Sequence, residues 1–208
     1  MNRESWFGAI VLLPCIILSG CQTLPPAPAQ PAVPAQRFVM KDFSVRAPGG
    51  GAWYVQMEGE NSILFYKGTD ASSGHTIVAG VKPFVPPSHP SSREEFARLL
   101  KEALAKEQKD SERFRNADLE ISPDNRFGEY SIRVHFVSKD FSPYRLPLDA
   151  KYLILNTHAY YIKLPKTNEY LHVWYSERSR PEDGDAALAE KAGSFFESFQ
   201  LLTVETKP

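Results

Sequence analysis

Histidine is the side chain in this sequence best suited to acid–base or metal chemistry. The five histidines are His75, His89, His135, His158 and His172. None lies three or four residues from another, the helical spacing that brings two ligands to one metal. His135 and His172 fall in the middle of predicted strands, where pairing of those strands would bring them together with Glu129 or Glu177. Exposed or hydrogen-bonded sheet histidines explain this pattern better, so no metal site is predicted.

Aromatic residues are concentrated in two C-terminal strands and form the second candidate site. They are Tyr152, Tyr160, Tyr161, Tyr170, Trp174 and Tyr175. Such residues line ligand grooves and interfaces. Aromatic residues are also common in strands, where they pair across a sheet. We favour this structural interpretation over a ligand groove or an interface. If a groove exists, the predicted ligand-binding residues are Arg133, His135, His172 and Trp174.

The sequence predicts no catalytic residue and no cofactor. Nucleophilic hydrolysis needs a serine beside a base, usually on a sharp turn. Ser72 and Ser73 precede Gly74 and His75, but this run has the composition of an ordinary small-residue turn. A pair of carboxylates of the glycosidase type stays open, because the distance between carboxyl groups cannot be read from a sequence.

The N-terminus has the layout of a secretory signal peptide. Arg3 precedes an apolar run from Trp6 to Leu18. A helix that crosses a bilayer needs about 20 apolar residues, so for this run of thirteen a retained transmembrane helix is the weaker of the two interpretations. Residues 1–20 are therefore predicted to be a signal peptide.

Leu18-Ser19-Gly20-Cys21 closes the apolar run and resembles the lipobox of bacterial lipoproteins. The resemblance implies that Cys21 receives a diacylglycerol, that the signal is cut before it, and that the new N-terminus gains a further acyl chain such as palmitate. Two or three chains anchor a protein durably without spanning the membrane. Gln22 follows the cysteine, and by resemblance to enterobacterial sorting rules this favours the outer membrane, facing the periplasm. The inner membrane and an ordinary signal peptide are the alternatives.

Cysteine content and charge exclude several functions. Cys15 leaves with the signal and Cys21 is lipidated, so the mature chain has no thiol for catalysis, zinc–thiolate sites or iron–sulfur clusters. The chain carries 24 basic and 25 acidic residues, a net charge of −1. This balance argues against a nucleic-acid partner, which usually requires a basic surface.

The segment after Cys21 is rich in proline and alanine. Residues 22–36 contain five prolines and no charged residue. As an extended polyproline chain at about 3.1 Å per residue, this segment would span roughly 45 Å. Residues 21–36 are interpreted as a lipidated cysteine and a passive linker, and residues 37–208 as one periplasmic domain.

The hydrophobic pattern of residues 37–208 predicts strands, a helix, more strands and a final helix. A capping box at Ser92 and Glu95 starts an amphipathic helix to Asp110. Asp183 or Asp185 is predicted to cap the last helix. Residues 37–47 are predicted to be an extended segment, and the predicted strands are 53–57, 63–67, 75–82, 117–122, 129–139, 151–164 with a break near Asn156, and 169–178. The order indicates an α+β domain with two helices packed against an antiparallel sheet.

The domain resembles the PsbP-like fold over about residues 53–202. The resemblance rests on Trp53 at the start of the sheet, the helix after Ser92, and the closing run of Ala192, Phe195, Phe196, Ser198 and Phe199. It implies a binding or assembly module, although a fold alone does not assign a function.

The leading functional hypothesis is a non-enzymatic, lipid-anchored module of the cell envelope that binds an envelope protein or component. A lipid-anchored enzyme that acts on an envelope substrate through histidine or carboxylate chemistry is the alternative. A purely structural role in a larger assembly is the third hypothesis.

Overall fold

The structure is a computed structural model that describes residues 30–32, 35–68, 74–143, 146–165 and 167–202. The predicted signal peptide, Cys21, residues 22–29 of the predicted linker, and Ser72 and Ser73 lie outside the described residues. The described chain forms, in order, β1 (Gln30–Ala32), β2 (Arg37–Val39), β3 (Phe43–Arg46), β4 (Trp53–Met57), β5 (Ile63–Gly68), β6 (Thr76–Phe84), α1 (Arg93–Asp110), β7 (Phe114–Pro123), β8 (Ser131–Asp140), β9 (Leu153–Lys163), β10 (Tyr170–Ser179), α2 (Leu188–Ser198) and β11 (Gln200–Leu201).

Eight of these strands form one large antiparallel sheet. Their order across the sheet is β1-β4-β5-β6-β10-β9-β8-β7, and a small sheet has the order β11-β3-β2. The predicted α+β class, with two helices packed on an antiparallel sheet, is confirmed. Most neighbouring strands of the large sheet follow one another along the chain as hairpins. Strands β6 and β10 are an exception, because they are neighbours in the sheet although α1 and β7 to β9 separate them in the sequence.

The two helices lie on opposite faces of the large sheet. In β10, Val173 and Tyr175 belong to the core that contains α2 and the small sheet, whereas Tyr170 and Trp174 belong to the core that contains α1. Successive side chains of a strand point to opposite faces. All ten residues of β10 are buried, so this strand is covered on both faces.

The helices are also offset along the sheet. The α2 core extends over β4, β5, β6 and β10, while α1 contacts β7 and β8 on the other face. In β8, Ile132 and Val134 are buried under α1, whereas Arg133, which points to the α2 side, is exposed. The α2 side of β7 to β9 is therefore not fully covered by a helix.

Helix α1 begins as the capping box predicts. The Ser92 Oγ accepts a hydrogen bond from the Glu95 N–H at 3.1 Å. The Glu95 carboxylate in turn accepts the Ser91 N–H at 2.7 Å, one residue before the cap. Phe96, Leu100 and Leu104 of α1 are buried against the sheet.

Three local predictions need correction. The N-cap of α2 is Ala187, which has no side-chain cap bond, and Asp185 instead accepts the Ala187 N–H at 2.9 Å. Strand β9 is continuous through Asn156. Residues 30–32, inside the predicted linker, form β1 on the edge of the sheet, where Pro31 pairs with Tyr54. An edge position tolerates a proline because the outer side of the strand has no partner.

Candidate functional site

The structure places the four predicted ligand-binding residues on opposite faces of the sheet. Arg133 and His135 point to the α2 side, whereas His172 and Trp174 line a cavity on the α1 side. Strand β9 also separates β8 from β10. The strands of His135 and His172, whose pairing the sequence leaves open, are not neighbours, and the four residues cannot form one groove.

On the α2 side, β7 to β9 expose a polar surface that we call the polar face. It consists of Glu120, Arg133, His135, Asn156 and His158. The rings of His135 and His158 stack at 4.4 Å between centroids with an angle of 4° between their planes. The His135 Nε2 lies 3.0 Å from the Asn156 Oδ1, and its Nδ1 lies 3.7 Å from the Glu120 Oε2. These contacts fix the orientation of the His135 ring.

His158 is the member of this pair that the sequence prediction of a ligand site omitted. Burial lowers the pKa of His158 to about 4, with further lowering by the nearby His135 and Arg133. Its imidazole is consequently neutral at pH 7, with one nitrogen that donates and one that accepts. The pairing of residue 135 with residue 158 across β8 and β9 creates the site, and the sequence alone does not specify this register.

A groove runs between the polar face and α2, and we call it the polar groove. Its volume is about 320 Å³, and it is lined by Asp124, Arg126, Arg133, His158, Ala159, Tyr160, Ala189, Ala192, Gly193 and Phe196. The α2 wall is low, because it consists of alanines, a glycine and one phenylalanine. The opposite wall carries both arginines. Arg126 comes from the β7–β8 turn and Arg133 from β8 of the sheet.

Tyr160 and Asp124 form the polar floor of this groove. The Tyr160 hydroxyl donates to the Asp124 Oδ2 at 2.9 Å, and the Arg126 N–H donates to the Asp124 Oδ1 at 2.8 Å. Burial raises the pKa of Tyr160, and the hydrogen bond to Asp124 raises it further, while Arg126 and Arg133 act in the opposite direction. The phenol therefore stays protonated at pH 7 and acts as a donor.

On the α1 side, His172 and Trp174 belong to a stacked column of side chains. The His172 ring lies 4.4 Å from the Tyr161 ring and 4.9 Å from the Trp174 ring, and the Lys82 Nζ lies 5.4 Å from the Trp174 ring centre. Burial lowers the pKa of His172 well below its usual value. The adjoining cavity measures about 50 Å³, whereas small-molecule sites usually measure about 300–1,000 Å³. We interpret this column as core packing.

The buried carboxylates of the sheet are held by partners inside the protein. Glu177, one of two carboxylates that strand pairing could have brought to His135 and His172, contacts the His75 Nε2 at 2.7 Å and accepts the Asp185 N–H at 3.0 Å. Glu129 lines a separate surface pocket next to Tyr130. Within the described ranges, no group of three or more histidine, cysteine, aspartate or glutamate residues has the arrangement of a metal site.

No protein-family model matches the chain, and the comparison with curated proteins found no match. Among the helices of the described residues, none is both long and apolar enough to cross a bilayer.

Proposed function

We propose that this protein is a lipid-anchored binding module of the cell envelope, held at the outer membrane through Cys21, and that its polar face contacts the partner. The anchor rests on the Leu18–Cys21 motif and the apolar run before it. The binding role rests on the polar face. A similarity to PsbP-like modules, proposed from Trp53 and the two helices, agrees with a binding role.

The observation that carries the proposal is the incompletely covered part of the sheet on the α2 side, over β7 to β9. The other strands on this side are covered by α2 and the small sheet, but Arg133 is exposed, and Asn156 and His158 are half-buried. Exposed strands that carry charged and amide side chains offer directed hydrogen bonds to a partner. The adjacent polar groove gives this surface a concave edge in which a partner group can be held.

The position of β1 supports a short distance between the folded domain and the membrane in which Cys21 would be anchored. Eight residues lie between Cys21 and Gln30, which is where the sheet begins. Even a fully extended chain of this length spans only about 30 Å. A partner in or close to the same membrane would therefore lie within reach of the domain.

Crosslinking in intact cells, followed by mass spectrometry of the attached molecules, tests the proposal. The wild-type chain is compared with Arg133→Glu, which reverses a charge on the polar face, and with Lys101→Glu, which reverses an exposed charge on α1. We expect a reproducible partner with the wild-type chain and Lys101→Glu, and loss of that partner with Arg133→Glu. Equal capture by all three chains would contradict the role of the polar face.

The anchor has its own test. Cells labelled with a palmitate analogue should incorporate it into the wild-type chain but not into Cys21→Ala, and Cys21→Ala should leave the membrane fraction. Labelling of both chains to the same extent would contradict attachment at Cys21.

A further inference from the structure

The polar groove brings two guanidinium groups to one place. Arg126 comes from the β7–β8 turn and Arg133 from β8, and both line the groove. Tyr160 and His158 line the same groove, so the two arginines share it with a phenol and an imidazole. The side chains of Arg126 and Arg133 are exposed, so solvent and small molecules reach them.

The acidic groups near these arginines do not neutralise both. Asp124 brings one carboxylate to the groove floor, where it accepts hydrogen bonds from the Tyr160 hydroxyl and the backbone N–H of Arg126, so it offsets only one of the two guanidinium charges. Glu197 approaches Arg126 only to 3.8 Å and is 71% exposed, and exposed pairs of this kind contribute little. Glu120 is paired with His135 across β7 and β8, and its Oε2 lies 3.7 Å from the His135 Nδ1. Among the described residues, no salt bridge to Arg133 is found within 4.0 Å.

The shape of the groove leaves room for a ligand above its floor. Gly193 on the α2 wall has open space where a side chain would begin, with no atom within 4 Å. A volume of about 320 Å³ lies at the lower end of the range for small-molecule sites, about 300–1,000 Å³. It suits one small charged group with a short substituent.

We propose that the polar groove binds a phosphate group, with Arg126 and Arg133 as its charged ligands and His158 as a neutral hydrogen-bond partner. A guanidinium pairs with two oxygens of a planar or tetrahedral anion. A carboxylate has only two oxygens, which one guanidinium satisfies, whereas a phosphate offers further oxygens to a second guanidinium and to an imidazole. The inference deepens the proposed function and rests on it, since it names the chemistry that the polar face recognises.

Titration of the purified full chain in mild detergent with inorganic phosphate tests the inference. Binding is followed by calorimetry and by the NMR signal of the His158 ring. We expect saturable binding that shifts the His158 signal, and about tenfold or greater weakening in Arg133→Gln and in Arg126→Gln. Arg98→Gln is the matched control, because Arg98 is an exposed arginine on α1 that pairs with Glu102. It should bind phosphate as the wild-type chain does.

Three outcomes would overturn the inference: no saturable binding of phosphate, equal affinity of the two groove variants and the wild-type chain, or acetate binding as tightly as phosphate. Two further probes identify the source of the phosphate. Tight binding of glycerol 3-phosphate alone supports a soluble monoester, and equal binding of glycerophosphoglycerol supports a phospholipid headgroup. Partner capture that depends on Arg133 without any phosphate binding would overturn this inference and leave the proposed function standing.

Discussion

Substitution of Gly80 by alanine should destabilise the domain, because Trp174 lies across this glycine. A Cβ atom at position 80 would lie 2.7 Å from the Trp174 Cη2 and 2.8 Å from the Ile63 carbonyl oxygen. The indole is 6% exposed and stacked against His172, so it cannot turn away without disturbing the column. The Ile63 oxygen belongs to the backbone of the neighbouring strand and is equally confined. Overpacking of this kind costs about 1–3 kcal/mol.

Urea unfolding followed by circular dichroism measures the free energy of unfolding of Gly80→Ala. Gly193→Ala is the matched control, because the same methyl group is added in α2, where no atom lies within 4 Å. Alanine is favoured over glycine in a helix by about 0.5–1 kcal/mol, so this control should be stabilised. The two variants should therefore shift the urea midpoint in opposite directions without a change in slope.

A neutral or stabilising effect of Gly80→Ala would refute this reasoning. It would mean that Trp174 does not lie over β6 in the folded protein, and that the α1 side of β10 is more open than the structure indicates. The interpretation of His172 and Trp174 as core packing would then be wrong.

Three further results are expected. Asp140→Asn should lower the free energy of unfolding by about 3–5 kcal/mol, because Asp140 is fully buried, accepts two hydrogen bonds from the Arg113 guanidinium at 2.8 Å and forms an ion pair with the Arg178 Nη2 at 3.0 Å. Ser92→Ala should cost about 1 kcal/mol in urea unfolding through loss of the α1 cap. His158 should titrate by NMR near pH 4. Because its folded pKa lies below its unfolded pKa of about 6.5, its contribution to stability is present above pH 6.5 and is lost as the pH falls towards 4.

Each of these results has a control or a contradicting outcome. Asp149→Asn removes a 71% exposed carboxylate that pairs with Arg180, and it should leave the free energy of unfolding nearly unchanged. An equal cost for both aspartates would contradict the buried network. An unchanged stability in Ser92→Ala would contradict the capping role. A His158 midpoint near 6.5 would contradict burial of its ring beside His135.

Local structure follows from the sequence wherever side-chain spacing decides it. The bounds of β4 and α1 were predicted to within a residue because Trp53 and Val55 alternate, and Phe96 and Leu100 recur at helical spacing. Strand β1 was not predicted, since Pro31 disfavours a strand and only the free edge of β4 accommodates it.

The candidate site was only partly predictable. Alternation along β8 places Arg133 and His135 on the same face, but it does not determine which strand lies beside them. The insertion of β9 between β8 and β10 brings His158 to His135 and separates both from His172. Strand order depends on long-range packing of the whole sheet, which no local pattern encodes.

Site-specific photo-crosslinking in intact cells tests the central claim most directly. One chain carries the photoreactive residue in place of Glu120, whose side chain is 83% exposed on the polar face, so that Arg133 is kept. The other carries it in place of Tyr54, which is 43% exposed on the α1 side of β4. We predict a discrete crosslinked product from position 120 and none above background from position 54. A product from position 54 with none from position 120 would contradict the claim that the polar face binds the partner.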